Sequence, residues 1–130
     1  MYIQFKYNNG NYALQANKVK ELINFSNIKL IQTPNSSEHI LGLVSYRNEI
    51  IQVIDFPTLL KIGKTDLKKE RLILLVLKNN VGFLIEDNVE TFPELIKKTE
   101  NLKLNSCADI GYNYKNDIVC NLNLEKLFNV

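Results

Sequence analysis

The chain has no tryptophan, one histidine, two cysteines and three prolines among its 130 residues. Each shortage removes a class of function. His39, the sole histidine, follows Ser36, Ser37 and Glu38 in a loop and cannot build a His-rich metal site. A Ser/His/Asp triad would need a spatial arrangement that nothing in the pattern indicates, so His39 reads as a surface-loop residue. Cys107 and Cys120 are too few for a disulfide framework and lack metal-ligand spacing, which leaves reduced thiols in a cytosolic protein. No apolar run approaches the roughly 20 residues that a membrane helix needs. The first residues, Met1 to Lys6, alternate as a strand and show no signal-peptide core, so any meeting with a membrane is expected only through a partner.

Net charge is scarce as well. Sixteen Lys and Arg against fourteen Asp and Glu leave +2, too little to hold a polyanion. The densest basic group, Lys61, Lys64, Lys68, Lys69 and Arg71, is interleaved with Asp66 and Glu70 and reads as a solvated loop. Without tryptophan or an Arg-rich aromatic platform, nucleic-acid binding loses its usual stacking surface. There is no Gly-rich phosphate cradle either, because no Lys-Ser/Thr pair follows Gly82. Glu86 and Asp87 could pass for paired catalytic carboxylates, but neighbours on a strand point to opposite faces. No catalytic residue, cofactor or metal is expected.

What the chain does have is a globular balance, 45% hydrophobic and 23% charged residues. A chain of this length fits one domain that buries roughly two-thirds of its unfolded surface. Strand-forming residues on either side of Asn8-Asn9-Gly10 predict an opening hairpin. Ala16 to Ile23, with apolar Val19, Leu22 and Ile23, has the spacing of a short amphipathic helix or of a helix handing over to a strand. Phe25, Ile28, Leu30 and Ile31 then read as strand, and Thr33 to Ser37 as loop. Arg71 to Leu77 and Val81 to Ile85 form a hairpin around Lys78-Asn79-Asn80, with Leu72 to Leu77 apolar enough to be buried on both faces. Val89 to Phe92 extends the sheet, and Lys97 to Asn105 is polar and reads as a mobile loop. Strand returns around Ile110 to Tyr114 and Ile118 to Leu122. A closing helix capped by Asn123 carries Leu124, Leu127 and Phe128 on one face. Many short strands with brief turns predict a mainly β fold, a small barrel or sandwich, rather than a parallel α/β sheet.

The most informative stretch is Ile40 to Phe56. Two β-rich runs, Ile40 to Tyr46 and Glu49 to Ile54, flank Arg47-Asn48, and Asn tolerates the positive φ of a tight turn. Asp55 is placed to cap a helical turn that begins near Phe56-Pro57. The hairpin contains no catalytic group and offers a partner shape and one charge.

The segment resembles the pattern apolar-apolar-Gly-apolar-apolar-x-x-Arg-Gly-x-apolar-apolar-Pro-apolar-apolar-Asp-apolar of the CheW-like adaptors. Gly42, Arg47, Ile50-Ile51, Val53-Ile54, Asp55 and Phe56 fall in place. Asn48 stands where glycine is usual, a mild change. Gln52 stands where proline is usual, which frees a backbone N–H. The likeness runs over nearly the whole chain, including Lys18 to Ile23, Val81 to Val89 and the ending Ile118 to Phe128.

The resemblance implies two small SH3-like five-stranded β-barrels around a shared hydrophobic core, within a single domain spanning 1–130 that divides near 62–70. It also implies a cytoplasmic, non-catalytic adaptor that links the cytoplasmic tips of chemoreceptors to the regulatory domain of the histidine kinase CheA. The receptor groove so implied includes Val19, Glu21, Gly42, Arg47 and Gly82. Taken by themselves, Val19 reads equally as core, Gly42 and Gly82 as sites of close backbone packing, Glu21 as a solvated carboxylate and Arg47 as a solvated turn tip. The alternatives are a small β-barrel that binds nucleic acid, or a CheW-like adaptor of a pilus-type sensory system.

Overall fold

A computed structural model describes residues 1–7, 10–32, 39–86, 88–92, 98–99, 108–114 and 117–124. Two units emerge from the contacts within it, Met1–Lys18 with Asn88–Val130, and Val19–Asp87. The stretch 62–70 lies inside the second unit.

In the first unit, β1 (Tyr2–Tyr7) and β2 (Gly10–Gln15) pair antiparallel as the opening hairpin, with Phe5 opposite Tyr12. Their rings stack at 5.7 Å. Four other strands of this unit are β8 (Val89–Phe92), β9 (Lys98–Thr99), β10 (Ala108–Tyr114) and β11 (Asp117–Leu122). They complete a six-stranded sheet in the order β8-β1-β2-β11-β10-β9. β8 therefore extends the sheet through β1, not through the preceding hairpin. The pair Lys98–Thr99, read from sequence as part of a mobile loop, is instead a strand against Gly111 and Tyr112. β11 runs parallel to β2, joining Cys120 to Tyr12 across a long stretch of chain. Phe5, Tyr7, Ala13, Leu14 and Val119 are fully buried.

The second unit is a five-stranded sheet in the order β3-β6-β7-β5-β4. Its strands are β3 (Val19–Asn24), β4 (Ile40–Tyr46), β5 (Glu49–Ile54), β6 (Leu72–Leu77) and β7 (Val81–Glu86). Ala16–Lys18 is a single 3-10 turn, so Val19, Leu22 and Ile23 lie on a strand and not on a helix face. Phe25–Asn27 is also a 3-10 turn, and from the expected strand after it only Ile31 makes a bridge, to Leu43. Paired residues share a face, so Ile23 and Leu74 point the same way, as do Val44 and Ile51. With Val53, Leu72, Val76 and Leu84 they form the core of this unit. Leu75, Leu77, Phe83 and Ile85 are fully buried on the opposite face, which explains the unbroken apolar run of β6. Both sheets are described by open strand orders, not by closed barrels.

The helical turn α1 (Phe56–Leu59) starts with Pro57 as expected. Asp55 does not cap it through its side chain. The buried carboxylate accepts hydrogen bonds from the Thr65 backbone N–H (2.9 Å) and hydroxyl (2.7 Å). Much of the charged stretch that follows α1 is exposed, yet Asp55 and the Lys69–Glu86 ion pair at 2.8 Å tie it down. Leu124 is buried; the remainder of the expected closing helix, the loop 33–37, Asp87 and Cys107 lie outside the described residues.

Candidate functional site

β3 does not pair evenly with β6. Val19 faces Leu77 and Glu21 faces Val76, so Lys20 is an extra residue on its strand. Successive strand residues ordinarily point to opposite faces, and a bulge is the local distortion that re-aims one of them. Here it lets Lys20 and Glu21 reach the same rim of the sheet.

The facing wall is the β4–β5 hairpin. Arg47 and Asn48 both have positive φ, 51° and 64°. This is the two-residue turn whose twist matches that of paired strands. Asn accepts that backbone readily, whereas an arginine there is uncommon and is held by its surroundings. The turn makes Tyr46 and Glu49 cross-strand partners, so both side chains project to one side.

β3 and β4 are the two outermost strands of the five. Even so, Arg47 Nη1 lies 3.1 Å from Glu21 Oε1, and Lys20 pairs with Glu49. The sheet curls until side chains span the seam that backbone hydrogen bonds leave open. The Tyr46 hydroxyl points at Glu21 Oε1 from 3.5 Å, a weak contact, and its ring lies 5.0 Å below the Arg47 guanidinium. That distance suits a cation–π contact. Lys20 also donates to Asn80 Oδ1 at 3.0 Å. The resulting cleft, about 190 Å³, has Lys20, Glu21, Tyr46, Arg47 and Glu49 around a floor of Ile51 and Val76. Its two cations and two carboxylates balance, and the Arg47 side chain remains 71% exposed against 28% for Glu21.

Of the residues predicted from sequence, Glu21 and Arg47 meet at this rim. Val19 sits half-buried at the start of β3, opposite Leu77. Gly42 and Gly82 are buried elsewhere in the unit. A Cβ on Gly42 would collide with the Ile31 carbonyl oxygen, where the 31–43 bridge crosses β4. One on Gly82 would come within 2.8 Å of the Leu75 carbonyl oxygen and 3.1 Å of Leu74 Cδ1. Both glycines are explained by close backbone approach. Tyr46 and Glu49 were legible in principle, because a two-residue turn forces the residues beside it onto one face. Lys20 was not, since only the bulge brings it round.

Gln52 has a specific use. Its backbone N–H donates to the Asn80 carbonyl at 3.0 Å where β5 meets β7 in parallel. Proline could not make that bond. Asn80 itself holds φ at 61° at the end of the β6–β7 turn.

No group of three or more metal-ligating residues occurs among the described residues. Burial pushes the Cys120 thiol up, away from the thiolate that nucleophilic chemistry requires. Burial, and then the neighbouring Cys120, likewise raise the Tyr12 phenol. His39 is half-buried and its carbonyl accepts from the Asp55 N–H at 2.7 Å. Among the described residues, no helix is long and apolar enough to cross a membrane.

A family model described as the CheW-like domain matches residues 1–130. The fold is similar to that of the scaffolding protein TtCheW from Thermoanaerobacter tengcongensis, with a TM-score of 0.79 at 20% identity over 99% of this chain and 92% of that one. No curated protein matches the sequence.

Proposed function

The chain belongs to the CheW-like family, and from that premise we propose that it is a cytoplasmic, non-catalytic adaptor coupling methyl-accepting chemoreceptors to the histidine kinase CheA in chemotactic signalling. The similar fold of a protein named for scaffolding supports this reading. The observation that carries it is the presentation of Arg47. A constrained turn lifts the side chain out of the sheet, Glu21 and the Tyr46 ring orient it, and most of it stays in solvent.

A helical receptor tip supplies apolar side chains to a groove and carboxylates or C-terminal carbonyls to a guanidinium. Arginine suits this better than lysine because its planar fork fixes direction as well as charge. Glu21 holds that fork ready without burying it. Val19 continues the same strand, while Gly42 and Gly82 shape the support behind the rim. The kinase regulatory domain is the second proposed partner.

The test is Arg47→Ala. An exposed ion pair contributes about 0–1 kcal/mol to stability, so the variant is expected to fold with an almost unchanged unfolding midpoint. A centrally placed arginine is worth roughly 2 kcal/mol or more in an interface. Binding to a chemoreceptor tip fragment should therefore weaken at least about tenfold, or about 1.4 kcal/mol. Unchanged co-sedimentation of a folded variant with receptor-containing membranes would remove Arg47 from the interface.

A further inference from the structure

Lys20 reaches three elements at once. It stands on the β3 bulge, pairs with Glu49 beside the hairpin turn, and donates to Asn80 Oδ1 in the β6–β7 turn at 3.0 Å. Asn80 in turn receives the Gln52 N–H through its backbone carbonyl, and donates its own N–H to the Leu77 carbonyl, both at 3.0 Å. Lys20, Asn80, Gln52 and Glu49 thus form a circuit that returns to the hairpin three residues from where it left. Among the described residues, Glu21 also crosses the seam between β3 and the hairpin, but it pairs with Arg47 itself and makes only a weak 3.5 Å contact with the tyrosine beneath it.

We propose that Lys20 is the positioning residue for the Arg47 hairpin: it clasps the hairpin to β3, so that the tip stays in place when a partner draws Arg47 away from Glu21. The two bonds across the seam then have different tasks. The Glu21–Arg47 pair is exposed on the arginine side and is exchanged for a partner's carboxylate. The Lys20 clasp keeps the curl of the sheet during that exchange. Without it, the side-chain links from the hairpin to β3 are the pair that binding breaks and the weak Tyr46–Glu21 contact at 3.5 Å, and Arg47 must be ordered afresh each time. The balance of charge fits this division, since removing Arg47 to a partner leaves Lys20 facing two carboxylates, which tightens its hold.

The statement about binding rests on the adaptor reading; the clasp itself does not. Two readouts keep them apart. The first is amide hydrogen exchange on the intact protein without any partner. In Lys20→Met, exchange at Gln52 and Glu49 should quicken several-fold, at most about fivefold for a clasp exposed to solvent, while amides of the β6 core keep their protection. Lys20→Arg should restore slow exchange, and Glu49→Gln, which supplies the readout should Lys20→Met not fold, should quicken exchange at the same amides. Unaltered exchange at Gln52 in a folded Lys20→Met or Glu49→Gln protein overturns the clasp.

The second readout is a double-mutant cycle on binding to a chemoreceptor tip fragment. Lys20→Met should weaken binding several-fold when Arg47 is present and add nothing in the Arg47→Ala background. Equal losses in both backgrounds overturn the positioning role, because Lys20 would then act on the partner by itself. If exchange quickens as expected but no variant alters the affinity for any receptor fragment, the clasp stands and the adaptor reading fails.

Discussion

Gly42 and Gly82 lie inside the second unit and Glu21 and Arg47 at its rim, although all four occupy positions of one recurring family pattern. The interior pair answers to backbone. The Ile31 carbonyl crosses where a Gly42 side chain would be, and the Leu75 carbonyl where a Gly82 side chain would be. The rim pair answers to solvent, with one charge held at 3.1 Å from the other and most of the arginine left uncovered. A shared pattern therefore mixes two kinds of constraint, and only the geometry around each residue separates them.

Three substitutions bear on this contrast. The largest effect is expected from Gly42→Ala, which must displace the Ile31–Gln32 backbone as well as fit a methyl group. Overpacking of this kind costs about 1–3 kcal/mol, with the upper end expected where backbone must move. Urea unfolding should show a lowered midpoint at unchanged slope, and receptor affinity of the folded fraction should be that of the parent. A neutral result would move Gly42 out of the packing class. Gln52→Pro comes next. It deletes the N–H that reaches the half-buried Asn80 and leaves the Asn80 carbonyl short of a donor, a loss of about 0.5–1.5 kcal/mol. If the variant is as stable as the parent, the family's usual proline fits this strand and the Asn80 bond is dispensable. The smallest effect belongs to Asn48→Gly. The position already holds φ at 64°, so the glycine that the family usually carries should alter stability by no more than about 0.5 kcal/mol. Calorimetry together with a receptor pull-down would check both halves of that expectation, since a large loss of binding would give Asn48 a role beyond the turn.

Much of the architecture was legible. The hairpin Ile40–Ile54 appears with its expected ends, because alternation, a two-residue polar turn and a following proline all agree. β6 and β7 were legible for a similar reason, an apolar run on either side of an Asn-rich turn. At residues 16–23 the handover from a helical turn to a strand is what forms, while the purely helical alternative there and the strand expected after Phe25 each fail for one physical reason. The extra residue at Lys20 breaks the two-residue period of β3, so Val19, Leu22 and Ile23 imitate helical spacing. Farther on, Phe25, Ile28 and Leu30 are apolar because they pack onto the core of the unit from turns, not because they extend a sheet. Asp55 was recognised as a cap by its place before Phe56-Pro57, but a threonine ten residues later competes for the same oxygen and wins. Contacts that join distant parts of the chain leave no local trace. The meeting of Glu21 with Arg47 could be inferred only from the family resemblance, and that of Lys20 with Glu49 and Asn80 not at all.

The parallel pairing of β2 with β11 orders events during synthesis. Tyr12 needs Cys120 as its strand neighbour, so the six-stranded sheet cannot close while the ribosome still holds the later part of the chain. The five-stranded sheet of Val19–Asp87 finds all of its strand partners before residue 87. Chains emerge at about 5–20 residues per second, which leaves several seconds in which the arginine-bearing unit is complete and β1 and β2 wait as an unfinished hairpin with an open edge. Exposed strand edges of that sort recruit other chains. The stage most in need of protection from aggregation is therefore the gap between making residue 87 and making residue 120.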